Sequence, residues 1–289
     1  MPKENTHLFF AGKLLEKWDQ QKFSFHIKGF KKEFYLGSVF PDAFFYHPKK
    51  TVRVVSNSLH GIGNDPYQII IHLLSEARRQ SAYADLSFVF GYLSHCALDG
   101  RFHPVIEKIS KIYAVQNPNS PWAEKYKHRI LETALDRQIN GRFYMEQMID
   151  ISRLSKLVSL RLLSKKMKVS EKDLRVAFWL QYTANRLFTR RWAYLWTKLF
   201  TSLINNCLIV ILPLFYAHLE TSNEKFPGEF SMSTSRNSFN KTGNLSNLFT
   251  KTESLTQKLF SCAYLFFKDR DRADCCLASE LQTYLSETG

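Results

Sequence analysis

From residue 80 to residue 100 the chain carries no lysine or arginine, yet it places His95 and Asp99 there. Residues 85–93 are mostly Leu, Phe, Val and Tyr, which predicts a helix buried on nearly every side. His95 and Asp99 then share one face of that helix, a turn apart. A carboxylate on a buried helix costs several kcal/mol unless a cation or donor pairs it. No neighbour in sequence supplies one, so a distant arginine or a metal ion has to.

The 289 residues are 45% hydrophobic, enough for one large domain or two small ones with a substantial core. Apolar residues recur at helical spacing nearly throughout, which predicts an all-α fold, a multi-helix bundle. Leu8, Ala11, Leu14, Leu15 and Trp18 mark a first helix that Asn5 or Thr6 can cap. Turn-forming residues predict loops at 37–42 and 56–66, and Pro66 then opens a helix. Pro104 predicts that the buried helix kinks or ends near His103. The apolar run 203–219 reads as a buried core helix, too short and too interrupted by Asn205, Asn206 and Pro213 to span a membrane. The expected organisation is a metal-binding helical core over 1–150, and basic and apolar helices over 151–219 completing the same domain. A flexible loop over 220–248 and a C-terminal helical segment over 249–289 follow. There is no internal repeat, no P-loop and no GxGxxG.

Charge narrows the partners. The net charge of +14 favours anionic ones: nucleic acid, phospholipid surfaces or phosphorylated substrates. Residues 151–200 hold twelve Lys and Arg against only Glu171 and Asp173, either solvated helix faces or an anion-binding surface. Five cysteines without a CxxC pair argue against a disulfide framework and against a cysteine-based zinc ribbon, and fit a reducing compartment. The N-terminal stretch lacks the pattern of a signal peptide, so a cytoplasmic or peripheral-membrane location is expected.

Imidazoles and carboxylates beyond the central helix can be gathered into one constellation. His7 lies at the start of the first helix, Asp42 and His60 lie in expected loops, and His103 follows Asp99. His128 and Glu132 lie a turn apart on a later helix. These are the usual ligand types of a hydrolytic zinc site. Asp99, with two oxygens, could bridge two ions about 3.5–4 Å apart. Taken alone, His128–Glu132 beside Lys125, Lys127 and Arg129 reads as a solvated pair, and His26, His47, His72 and His218 read as structural.

The segments 5-NTHLFFA-11, 37-GSVFPD-42, 58-SLHG-61, 91-GYLSHCALDGRFHP-104 and 128-HRILE-132, in that order, resemble the zinc-dependent phospholipase C family. That family shares a superfamily with fungal single-strand nucleases and the N-terminal domain of the glycosylphosphatidylinositol-specific phospholipase D. The resemblance implies an all-α fold around two or three Zn2+ ions. It implies Asp42, His60, His95 and Asp99 as ligands of a first ion, and His7 with Asp99 as part of a second ion's shell. His103, His128 and Glu132 would be ligands of a third, and Asp42 would be the catalytic general base. In secreted members a mature N-terminal Trp completes one site, whereas this chain starts Met-Pro. The phosphatidylcholine-cleaving members carry a Tyr just after the Asp and a Phe three residues before the His, where this chain has Ala43 and Asn57.

Together these readings imply a metal-dependent phosphodiester hydrolase of phospholipase C type, in which a metal-activated water attacks a phospholipid phosphodiester. The alternatives are a single-strand nuclease or phosphatase of the same superfamily, and a non-catalytic helical protein stapled by metal that binds membranes or partners. An anionic membrane surface is the expected partner, nucleic acid less so, and no obligate protein partner is indicated.

Overall fold

The computed structural model describes residues 3–17, 27–60, 66–139, 145–204, 209–233 and 240–268. It is all-α apart from one short strand pair. In chain order the helices are α1 (Glu4–Lys17), α2 (Lys31–Ala43), α3 (Lys50–Leu59), α4 (Pro66–Arg79), α5 (Tyr83–Gln116) and α6 (Ala123–Ile139). The short α7 (Met145–Met148), α8 (Val158–Lys166), α9 (Glu171–Phe188), α10 (Arg191–Ile204) and α11 (Tyr216–Ser222) follow. Strands β1 (Glu229–Ser233) and β2 (Asn240–Asn244) then pair antiparallel, Glu229 opposite Asn244, before α12 (Leu245–Lys268).

The 34-residue α5 is the axis of the molecule. Every residue from Asp85 to Asp99 is buried, because α1, α2, α4, α6 and α12 all pack around it. Its aromatic residues interlock with those of its neighbours. Phe90 stacks on Phe260 of α12 at 4.9 Å, and Phe88 meets Phe40 of α2 edge-on at 5.1 Å.

The contact between α2 and α5 depends on two glycines. A Cβ on Gly37 of α2 would overlap the Phe88 carbonyl oxygen, and a Cβ on Gly91 of α5 would overlap the Phe34 carbonyl oxygen. The two backbones therefore touch where neither residue has a side chain. Asp42 lies five residues beyond Gly37, and His95 one turn beyond Gly91, so this contact decides whether they meet. Gly91→Ala is expected to lower stability by about 3 kcal/mol, the upper end for overpacking, because backbone rather than a movable side chain stands in the way. Urea unfolding would measure it, and a loss below 1 kcal/mol (roughly the tolerance of a relaxed core) would show that the helices are free to part.

Several expectations about local structure are corrected. The turn expected over 37–42 is the C-terminal half of α2, with Pro41 inside the helix. The Gly37 contact and the buried Phe34 and Phe40 hold that segment helical despite its turn-forming composition. Ser56 to Leu59 belong to α3, not to a loop; positions 61–65 lie outside the described residues. The α5 helix neither kinks to an end nor stops at Pro104, but runs twelve residues further to Gln116. The buried Phe102, Val105 and Ile106 on either side of Pro104 offset the lost backbone hydrogen bond. The first helix starts at Glu4, so Asn5 and Thr6 lie inside it, and Trp18 lies outside the described residues. The run 203–219 is not one helix. Its described parts are the end of α10, a 3₁₀ turn at Leu212–Leu214 and the start of α11, with Asn205 and Asn206 outside the described residues. The segment 220–248 holds the end of α11, the β1–β2 pair and the first turn of α12, and positions beyond 268 lie outside the described residues.

Candidate metal centre

The start of α1 is pinned by a buried polar network. Lys3 Nζ donates to the Leu214 carbonyl at 2.5 Å, and Asn5 Nδ2 donates to the Tyr216 hydroxyl at 2.8 Å. The Thr6 N–H and Thr6 hydroxyl both donate to Asp136 Oδ1 of α6, whose Oδ2 accepts from the Tyr216 hydroxyl at 2.8 Å. Tyr46 donates to Glu4 at 2.6 Å. His7, the next residue on α1, is thereby held against α5, its ring stacked on that of His95 at 3.9 Å.

Three helices then aim donor atoms at one point. His60 Nε2, at the end of α3, lies 3.2 Å from Asp42 Oδ1 and 3.4 Å from Asp99 Oδ2. His95 Nε2 lies 3.4 Å from the same Asp99 Oδ2 and 3.0 Å from His60 Nε2. Four donors around a tetrahedral zinc ion at ordinary bond lengths stand about 3.3 Å apart. The His60–Asp42, His60–Asp99, His95–Asp99 and His60–His95 separations lie near that edge length. On the other side of the two carboxylates, His7 Nε2 lies 3.3 Å from Asp99 Oδ1 and 3.9 Å from Asp42 Oδ2. Each aspartate thus turns one oxygen toward the His60 side and the other toward His7.

Hydrogen bonding on the far side of the rings shows what this cluster lacks. His95 Nδ1 faces the Ser38 carbonyl at 2.8 Å, and His60 Nδ1 faces the Ser56 carbonyl at 2.7 Å. A carbonyl only accepts, so each Nδ1 carries its hydrogen, and in the neutral ring Nε2 is then a bare lone pair. Two such lone pairs at 3.0 Å repel unless a cation lies between them. The fixing of a ring by a carbonyl behind it is the arrangement found around metal-binding histidines. Both ring nitrogens of His7, Asp42 Oδ1 and Asp99 Oδ1 are buried and make no hydrogen bond. These residues fit a metal ion and leave polar atoms unsatisfied without one.

The charge balance agrees. Every ion-pair contact of Asp42 and Asp99 within the described residues is with a histidine ring. Burial drives the Asp42 carboxyl well above its ordinary range, and the Asp99 charge adds to this. Burial pushes Asp99 the same way, but His95 and His7 outweigh it and hold that carboxyl well below its ordinary range. Burial lowers His7 to about 4 and also lowers His60, so both rings are neutral near pH 7, the form that binds metal.

The remaining candidates form a looser cluster. His128 Nε2 lies 3.1 Å from Glu132 Oε1, and the His103 ring lies 5.3 Å from that of His128. The pair is not the solvated one that its basic neighbours suggest, since Glu132 is buried on α6. Continuation of α5 through Pro104 keeps His103 on the helix, with Nδ1 3.7 Å from Glu107 and the ring more than a third exposed. Among the described residues, donor atoms converge tightly in two groups, His7–His95–Asp99 and Asp42–His60–His95, and His103, His128 and Glu132 are not drawn together to that degree. His47 Nδ1 accepts from the Lys49 N–H at 3.2 Å, and His218 Nε2 lies 2.8 Å from the Tyr126 hydroxyl.

Sequence reasoning missed the supporting residues. The carbonyls of Ser38 and Ser56 orient the two rings, and the Tyr92 hydroxyl donates to the Leu59 carbonyl at 2.7 Å, tying α5 to the end of α3 beside His60. The four-residue spacing of Ser56 and His60 was the available signal, hidden because that stretch reads as a loop. Of the three aromatics 44–46, Phe44 is buried and Tyr46 is bonded to Glu4, whereas Phe45 is 40% exposed and stacks on His60 at 5.4 Å.

No curated protein and no solved structure matches the chain. A family model described as zinc dependent phospholipase C matches residues 6–185, from just before His7 into the last turn of α9. That span is more than half of the chain and contains every residue of the cluster, and the protein therefore belongs to the zinc dependent phospholipase C family.

Proposed function

We propose that the protein is a zinc-dependent hydrolase of phospholipid phosphodiesters, and the observation that carries this is the 3.0 Å approach of His60 Nε2 and His95 Nε2 between two buried aspartates. Asp42, His60, His95 and Asp99 would hold one ion, and His7 with the second oxygen of Asp99 would form part of the shell of another. His103, His128 and Glu132 would hold a third. Zinc bound there supplies a Lewis acid for the phosphate oxygens and a water acidic enough to ionise near neutral pH. Asp42 takes the proton of the attacking water. Asp99 keeps its negative charge at working pH and holds the two sides of the cluster in register. Phe45 presents a ring face at the lip of the site, where it can lie against the substrate headgroup.

Ala43 is fully buried and Asn57 is a polar residue on α3, so the aromatic pair of the choline-preferring members is missing. Hydrolysis is accordingly expected to be faster on phosphatidylinositol, phosphatidylglycerol or phosphatidylethanolamine than on phosphatidylcholine. The test is a side-by-side assay of these lipids with single-stranded DNA and RNA, zinc present. Release of diacylglycerol without nucleotide release supports the proposal. Nucleotide release without lipid cleavage assigns the site to the nuclease branch, and silence on every substrate with zinc fully bound leaves the ions a structural role.

A further inference from the structure

Helix α10 is amphipathic in the wrong direction for a helix packed on a soluble core. Its inward face is Ala193 and Tyr194, which close a small satellite core with Phe188, Leu212 and Phe215. Thr197 and Thr201 spend their hydroxyls on the carbonyls one turn back within the same helix, 2.9 and 2.7 Å away. Its outward face is Trp192, Leu195, Trp196, Leu199 and Phe200, between 46% and 59% exposed. They recur at the spacing i, i+3, i+4, i+7 and i+8, so they form one continuous apolar stripe. A stripe of this kind facing water marks an interaction surface.

The flanking charge selects the occupant. Arg190, Arg191 and Lys198 are exposed around the stripe, and Arg186 lies at the end of α9 just before it. The α10 sequence RWAYLWTKLFTSLI contains no acidic residue. Two copies of this face would bring arginines together, whereas an anionic surface matches them. Tryptophan, with an apolar ring and a polar N–H, suits the boundary between acyl chains and headgroups. Among the described residues no helix is long and apolar enough to cross a membrane. From the outward stripe and its cationic border we infer that α10 lies flat on an anionic phospholipid surface, with Trp192 and Trp196 inserted at the headgroup level. This deepens the phospholipase reading by naming the face that meets the bilayer, but binding itself needs no hydrolysis.

The experiment uses the full chain loaded with zinc. Flotation is measured with vesicles of phosphatidylcholine alone and of phosphatidylcholine mixed with phosphatidylglycerol, at low and high salt. Turnover of a soluble phosphodiester is followed in parallel. The wild type is expected to float with the mixed vesicles and to be released by salt. Trp192→Ala/Trp196→Ala should weaken flotation by about tenfold or more, and Arg190→Glu/Arg191→Glu by at least about fivefold per residue, with soluble turnover unchanged. Both pairs are exposed, and circular dichroism checks that each variant is folded. Brominated acyl chains should quench wild-type tryptophan emission, a readout that needs no variant. The inference is overturned if the wild type ignores anionic vesicles while turning over the soluble diester. It is equally overturned if sedimentation shows a dimer that Trp196→Ala dissolves, which would give the face to a second copy. Vesicle binding with no turnover of any substrate would instead overturn the hydrolase reading and leave this one standing.

Discussion

Asp99→Ala protein, reconstituted with zinc and freed of loosely held metal, is expected to carry more than one ion fewer per chain than the wild type. The two oxygens of Asp99 face different partners, Oδ2 toward His60 and His95 and Oδ1 toward His7. Losing the carboxylate therefore weakens two sites together. Removing a group that only orients a ligand costs about 10–100-fold in metal affinity, and removing a shared ligand should exceed that. Elemental analysis reads the stoichiometry, and circular dichroism reports whether the fold is kept. A deficit of a single ion would show that Asp99 serves one side only. A wild-type content near zero after reconstitution would remove the metal centre itself.

Asp42→Asn tests the chemistry separately from the binding. The amide keeps the shape of the carboxyl but cannot accept the proton of the attacking water. Turnover of a phosphodiester is expected to fall by about 10²-fold or more, the usual worth of a general base. The variant is compared at full zinc occupancy, because Asp42 Oδ1 also stands 3.2 Å from His60 Nε2 and its loss weakens the His60 side. A metal-loaded variant with unchanged turnover would take Asp42 out of the mechanism. If metal content falls while turnover per ion is kept, Asp42 is a ligand and another group is the base.

The local features of the site were legible in the residues alone. His95 and Asp99 stand four residues apart, and so do His128 and Glu132, so a helix puts each pair on one face whatever surrounds it. The absence of Lys and Arg from 80–100 already required a remote cation for Asp99, and helical periodicity was enough for the all-α class. Loop and helix ends were less legible. Gly37 and Pro41 read as a turn, and Ser56 and Asn57 as a loop, because intrinsic preference ignores what packs against them; the buried neighbours of α2 and α3 override it. Pro104 was likewise read as a kink or an end, although apolar burial on both sides carries α5 through it to Gln116. Tertiary structure alone decided that His60 Nε2 would stand 3.0 Å from His95 Nε2, thirty-five residues away. That meeting depends on Gly37 and Gly91 touching backbone to backbone and on the Ser38 and Ser56 carbonyls turning the rings. The direction of α10 was decided in the same way. Its sequence is amphipathic, but only the packing of Ala193 and Tyr194 onto Phe188 and Phe215 turns the tryptophans outward, because those two side chains are the ones close-packed into the small core among Phe188, Leu212 and Phe215.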